Sequence, residues 1–242
     1  QGPINSYDHL RNFDFGPDNR RNVSCLSKYI SHRVLLEYDI ITQTLALHRY
    51  DDVEKFIQEV FWRVYWKGWL EHRPTVWQDF ISCDFDNVSS LNYQNAIKGK
   101  TGIRCFDNWV NELQDRNYLH NHTRMWFASI WIFTLGLPWQ LGARFFMHHL
   151  FDGDAASNTL GWRWVAGVQT AGKHYLAHSS NISRYTDGRF GDDTLNEDAE
   201  SYIDSTNHNI IPIDPAGRMT RKFDTLIVFD TDLHLDSENT YN

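Results

Sequence analysis

The sequence predicts a mainly α, multi-helix fold that runs into an irregular acidic C-terminal tail, and three observations carry that prediction. Val53, Phe56, Ile57, Val60, Phe61 and Val64 recur at i, i+3, i+4, i+7, i+8 and i+11, the spacing of one apolar helix face. Nothing before residue 185 sustains the period-2 alternation of a half-buried strand. From Asp187 onward 13 acidic residues stand against 4 basic ones, whereas residues 1–186 hold 18 against 19. The body is therefore nearly neutral, and the tail carries the net charge of −8. A length of 242 residues, 41% of them hydrophobic, suffices for a large core without disulfide or metal staples.

The elements follow in order. Residues 1–25 are polar, and Gly16-Pro17-Asp18-Asn19 marks a loop. A helix is predicted over Val53 to His72. On the side of it opposite the apolar face gather Glu59, Trp62, Arg63 and Trp66. A solvated face would be rich in Lys and Glu, so two tryptophans beside a carboxylate and a guanidinium suggest a stripe facing a ligand; a helix buried on both sides would read the same way. Residues 75–102, rich in Asp, Asn and Ser, read as loop. The turn Gly99-Lys100-Thr101-Gly102 lacks the upstream glycine of a phosphate loop, since Tyr93 or Gln94 stands there. Helical patterns resume at 105–117 and 120–136, stop at Pro138, and continue at 139–151. Asp152-Gly153-Asp154 breaks the chain before a short helical run, Asn158 to Trp164. Residues 187–225 read as loop-rich, and Thr225 to Phe229 as one short strand.

Several function classes are excluded. Met125 to Pro138 is too short for a membrane helix of about 20 residues, and the N-terminal residues lack the basic and apolar regions of a secretory signal. Three cysteines without a C-x-x-C pair cannot build a disulfide framework or a four-cysteine metal or iron–sulfur site, which makes a reduced, cytoplasmic setting the default. His120-x-His122 and His148-His149 come without H-E-x-x-H spacing, so no metal is expected. No G-x-S-x-G elbow supports hydrolase chemistry. The 10 Trp, 11 Tyr and 15 Phe are too many to leave unexplained: they fit a large core, stacking surfaces or electron relays.

An ordered series of motifs is more specific. Tyr7-x-x-x-Arg11 precedes Val23-Ser24-Cys25-Leu26-Ser27-Lys28-Tyr29. Gln58-Glu59-Val60-Phe61-Trp62-Arg63 follows, then His120-Asn121-His122-Thr123-Arg124-Met125. The series ends in Asp152-Gly153-Asp154-Ala155-Ala156-Ser157-Asn158 and Gly161-Trp162-Arg163-Trp164. Together these resemble the helical FAD-binding domain of the DNA photolyase/cryptochrome family. The resemblance implies such a domain over residues 1–190 and an acidic tail over 191–242. In the tail, Leu226 to Leu235 is similar to the first strand of the family's α/β domain, as at the start of a permuted or truncated arrangement; a chance edge strand is the alternative.

The resemblance also implies roles. Tyr7, the segment Val23, Ser24, Cys25, Leu26 and Ser27, and Asn121, Arg124, Asp152, Gly153, Asp154 and Asn158 would bind FAD. Arg124 and Asp152 would form an ion pair beside the isoalloxazine, and Asn158 would face its reactive central nitrogen. Glu59, Trp62, Asn121, Met125 and Trp164 match the pocket for a flipped pyrimidine dimer. Arg11, Arg63 and His122 would hold DNA phosphates, His122 standing where the family has Arg. Trp162 and Trp139 match the inner two tryptophans of an electron-transfer chain whose outermost position falls near Asp86, beside Phe85. The implied activity is light-driven repair of damaged DNA by reduced FAD. The alternatives are a cryptochrome-like blue-light sensor, signalling to a protein partner through the acidic tail, and an FAD-binding module without photochemistry.

Overall fold

The structure, a computed structural model, describes residues 4–84, 90–170, 172–204, 206–213 and 228–234. Among these the chain is mainly helical, as the sequence predicts, and no strand is formed. The helices α1 (Tyr7–Leu10), α2 (Ser27–Ser31), α3 (Glu37–Leu47) and α4 (Tyr50–Glu71) form the first group. In α4, Asp51 and Asp52 complement the positive end of the helix dipole, and Val53, Phe56, Ile57 and Val60 are buried at the predicted spacing. The predicted apolar face does not extend further: Phe61 and Val64 are about half exposed, at 53% and 46%. The periodicity is right, but no described element covers the end of that stripe.

Residues 75–102 depart from the loop expectation. They fold largely into α5 (Pro74–Ser82) and α6 (Leu91–Ile97). Pro74 opens α5, where its fixed φ is already helical and its missing N–H costs nothing, and Val76 and Phe80, one turn apart, are buried. Ser90 caps α6 by accepting the Tyr93 N–H at 3.3 Å. Both helices are short and bury only one or two side chains each, so their core contacts do not stand out against the polar residues around them. The remaining helices are α7 (Arg104–Arg116), α8 (Asn121–Ser129), α9 (Trp139–His149), α10 (Ala155–Ala166) and α11 (Ser179–Tyr185). A π-helical turn, Ile130–Thr134, extends α8 before the stop at Pro138.

α10 is the central helix and packs against α9, α4 and α8. Asp154 caps it by accepting the N–H groups of Ala156 and Ser157 at 3.0 and 2.8 Å, and Gly167, with φ 85°, supplies the left-handed residue that ends it. The aromatic surplus lies mainly in the core. Trp109, Trp126, Trp131, Phe106 and Phe127 are fully buried, with Phe106 and Phe127 ring centroids 4.4 Å apart. Each such side chain contributes roughly 1.5–3 kcal/mol by leaving water. A second, smaller cluster of Ile30, Ile40, Phe56 and Val60 joins α2, α3 and α4.

The described part of the tail is irregular, as expected, and is tied to the body. Asp193 accepts the N–H groups of Arg104 and Cys105 at 2.6 and 3.0 Å, capping α7 from 88 residues away or more. Asp204 pairs with Arg163 at 3.3 Å, and Ile211 donates to the His72 carbonyl at 2.8 Å. Further along, Asp232 pairs with Arg33 at 2.9 Å beside α2. Most of the strand expected at 225–229 lies outside the described residues; Phe229 makes a single antiparallel bridge to Asp232.

Candidate functional site

A cavity of about 530 Å³ opens between the two clusters, walled by α4, α8, α10, the residues around α2 and the turn before α10. Its size falls within the range of roughly 300–1,000 Å³ common for small-molecule and cofactor sites. Helical spacing explains the α10 wall: Ser157, Asn158, Gly161, Trp162, Trp164 and Val165 fall close to one face and all line the cavity. From α4 come Phe56, Glu59, Val60, Trp62, Arg63 and Trp66, which include the whole stripe singled out as ligand-facing.

The centre of the site is an ion pair. Arg124 Nη2 donates to Asp152 Oδ2 at 2.9 Å while its Nε donates to the Leu119 carbonyl at 2.9 Å, so the guanidinium is held at both ends. Burial by itself would raise the Asp152 carboxyl pKa, but Arg124, the Ser27 hydroxyl and Arg63 outweigh it and hold the group below the ordinary carboxylate range. Burial likewise works against the Arg124 charge, and Asp152 reverses that, so the guanidinium pKa is raised. The result is a fixed, ionised pair on the cavity wall. Asn158 donates its amide to the Ala143 carbonyl at 2.8 Å, which leaves its side-chain oxygen free to accept.

Other predicted site residues are distributed less simply. Tyr7, Ser24, Ser27, Gly153, Asn121, Met125 and Trp164 line the cavity, but Val23, Cys25 and Leu26 do not. Leu26 packs instead against the smaller apolar cluster, and Cys25 takes a left-handed backbone with φ 53° to turn the chain into α2. Asp154 is not on the wall either; besides capping α10 it accepts from Arg63 at 3.1 Å. Trp162 is on the wall, whereas Trp139 is buried behind it, its ring 5.8 Å from Phe80 and 6.0 Å from the Arg163 guanidinium. The outermost electron-chain position, near Asp86, lies outside the described residues.

The residues expected at DNA phosphates are turned toward the protein. Arg11 forms an ion pair with Glu59. Arg63 reaches inward to Asp154 and the Ser31 hydroxyl. His122, half-buried, stacks on Trp126 at 4.1 Å and bonds to the Asn12 carbonyl and the Tyr175 hydroxyl. Sequence reasoning had assigned no role to Ser157, Gly161, Phe146 or Ala128, which also line the cavity. The helical spacing Ser157, Gly161, Trp164 would have exposed the first two.

These features agree with the comparisons. The family described as "FAD binding domain of DNA photolyase" matches residues 56–189. The chain belongs to that family. It is 30% identical over 176 residues to the deoxyribodipyrimidine photo-lyase of Buchnera aphidicola, covering 68% of this chain and 36% of that protein. To the deoxyribodipyrimidine photo-lyase of Agrobacterium fabrum it is 29% identical over 173 residues, 69% of this chain and 35% of the relative. The fold is similar to that of a Synechocystis cryptochrome, with a TM-score of 0.65 at 21% identity, covering 75% of this chain and 39% of the other. A class III photolyase of Agrobacterium tumefaciens gives 0.63 at 24%, over 75% and 39%. The chain thus spans little more than a third of the length of these relatives.

The cavity fits the cofactor of the family. Ser157 Oγ, Arg63 Nε and Trp162 Nε1 are buried polar atoms on lining residues, and none has a hydrogen-bond partner among the described residues. Such atoms cost roughly 1–3 kcal/mol each unless a ligand or water satisfies them. At Gly161 an added Cβ would meet nothing within 4 Å, so the helix presents bare backbone and open space there. The Ser24 hydroxyl and the fixed Arg124 guanidinium form a donor set suited to an anionic, hydrogen-bonding cofactor.

Proposed function

We propose that the chain binds FAD in this cavity and uses it for light-driven splitting of pyrimidine dimers in damaged DNA. The observation that carries the reading is that Glu59, Trp62, Asn121, Met125 and Trp164, from α4, α8 and α10, line the same cavity as the Arg124–Asp152 pair. Residues suited to holding a lesion and residues suited to holding the cofactor thus line one space, which supports the reading. Bound in its reduced form, FAD would supply light-driven one-electron chemistry at this site.

The protein groups then have separable tasks. Ser24 would donate to the pyrophosphate, Ser27 would steady the Asp152 carboxylate to which its hydroxyl donates, and the Arg124 guanidinium would stabilise negative charge on the reduced ring system. Asn158 would accept from a ring N–H through its free amide oxygen. Trp62 and Trp164 offer apolar faces on which the flipped dimer can stack, while Glu59 and Asn121 meet its polar edge. Phe146, Trp162 and Val165 form a water-excluding wall behind them.

Irradiating the FAD-loaded protein with a dimer-containing oligonucleotide under reducing conditions tests the proposal: loss of the dimer is expected. Glu59→Ala should slow splitting while leaving flavin content unchanged. A correctly folded protein that takes up no flavin, or a loaded one that leaves every dimer intact, overturns it. One observation favours a cryptochrome-like sensor as the second reading. Arg11, Arg63 and His122 are engaged within the protein, which leaves less positive charge for phosphates. Under that reading light changes the flavin spectrum persistently, the dimer survives, and a protein partner is met through the acidic tail.

A further inference from the structure

Behind the cavity wall stands a phenol that the preceding reading does not use. Tyr175 lies between α10 and α11, held by its own N–H to the Val165 carbonyl at 3.1 Å. Its ring stacks on Trp164 with centroids 5.7 Å apart and planes at 26°, and Trp164 lines the cavity. Its hydroxyl is 3.3 Å from His122 Nε2. The other imidazole nitrogen, Nδ1, is 3.0 Å from the Asn12 carbonyl.

That last contact fixes the protons. A carbonyl can only accept, so Nδ1 carries the hydrogen. A neutral imidazole has one N–H, so Nε2 bears the lone pair and Tyr175 is the donor. Burial lowers the His122 pKa, which keeps the resting ring neutral. Burial also pushes the Tyr175 phenol up to about 12, so its proton stays on at rest. Cavity, tryptophan, phenol and base therefore stand in series.

We propose that Tyr175 is a redox-active tyrosine that gives one electron through Trp164 to an oxidant in the cavity while its phenol proton passes to His122 Nε2. The oxidant is the flavin in its oxidised form, excited by light and bound in the cavity as the preceding reading has it, on which this step rests. One electron leaves the phenol, its O–H bond breaks, an N–H bond forms at Nε2, and the flavin is reduced by one electron. The products in the protein are a neutral tyrosyl and an imidazolium. Losing the electron alone would leave a positive phenol in a poorly solvated site; moving the proton with it avoids that cost. The imidazolium forms on a ring already stacked on Trp126 with centroids 4.1 Å apart, where the indole face stabilises a cation. A thiol in solution returns the electron, and the proton goes back from Nε2. His122 is thus a proton acceptor in this chain, at a position where the family resemblance suggested a phosphate contact.

The test uses electron paramagnetic resonance on two samples of the full chain. One is loaded with oxidised FAD, its flavin content measured by absorbance, and is illuminated without added reductant. The other is flavin-free and is oxidised by a soluble ruthenium polypyridyl photo-oxidant with persulfate. A neutral tyrosyl signal is expected in both, absent from Tyr175→Phe, which keeps the stacked ring, and lost from His122→Phe, which keeps the stack on Trp126 but removes the base. Unchanged flavin content in Tyr175→Phe separates this from a structural effect. If no flavin is taken up yet the ruthenium sample gives the Tyr175 signal, the cofactor reading falls and the tyrosine–histidine pair stands. A tyrosyl signal that survives Tyr175→Phe, or only tryptophan signals in both parent samples, refutes the proposal.

Discussion

Gly142, in the middle of α9, should resist the substitution that ordinarily stabilises a helix. Ala is favoured over Gly in a helix interior by about 1 kcal/mol, so propensity alone predicts a gain from Gly142→Ala. Packing opposes it. A Cβ at this position would lie 2.2 Å from Cη2 and 2.5 Å from Cζ3 of Trp162, and 3.0 Å from Nε1 of Trp131. Carbon atoms in contact sit about 3.5–4.0 Å apart, so the Trp162 ring or the α9 backbone must move by more than ~1 Å. Neither has room, since Trp162 is 2% exposed and wedged against Trp131, Phe127 and Phe146. Overpacking of this kind costs roughly 1–3 kcal/mol, which exceeds or at least cancels the propensity gain. We expect a net loss of up to about 2 kcal/mol, or a Tm lower by roughly 2–4 °C for each kcal/mol in a chain of this size. Because Trp162 is also a cavity wall, FAD uptake should fall with stability. Urea denaturation and flavin titration of the two proteins read both quantities. A Gly142→Ala protein more stable than the parent, with undiminished uptake, would show that Trp162 does not abut α9 as described.

Three further outcomes follow from the same structure. Asp152→Ala leaves the Arg124 guanidinium without its partner and should destabilise by about 3–5 kcal/mol, measured by urea denaturation; a cost under about 1 kcal/mol would contradict a buried pair. His120 is fully buried and burial lowers its pKa to about 4, whereas the unfolded chain protonates it near 6.5; stability is therefore lost as pH falls between those values, by up to about 3 kcal/mol. Burial raises Glu112 to about 7, which works in the opposite direction, so the His120 contribution is read as the difference between the parent and His120→Asn, whose pH profile should be flatter across pH 6.5 to 4 and whose side chain can still cap α8. Asp193→Ala removes the cap that the tail places on α7 and should cost about 1 kcal/mol and raise amide exchange at Arg104 and Cys105; unchanged protection there would mean the tail does not dock.

The sequence determined what is encoded locally. The buried stripe of α4 was visible because residues three and four apart share a helix face, and the same regularity set Glu59, Trp62, Arg63 and Trp66 together on the side that lines the cavity. The order of motifs pointed to the family, since its characteristic residue types recur at fixed local spacing. Short-range signals failed where few residues spoke: α5 and α6 each bury one or two side chains in nine and seven residues, too short a run for a helical period to register.

Only the tertiary structure decided partnerships across the chain. That Arg11 meets Glu59, that Arg63 turns to Asp154, and that His122 is enclosed between Trp126 and Tyr175 depends on how α1, α4, α8 and α10 approach one another. An arginine reads alike in sequence whether it faces a phosphate or a carboxylate. The same holds for Phe61 and Val64, whose apolar spacing is set by the helix but whose exposure is set by what packs beside it. Periodicity follows from the backbone of one segment, whereas burial and pairing are properties of several segments meeting in space.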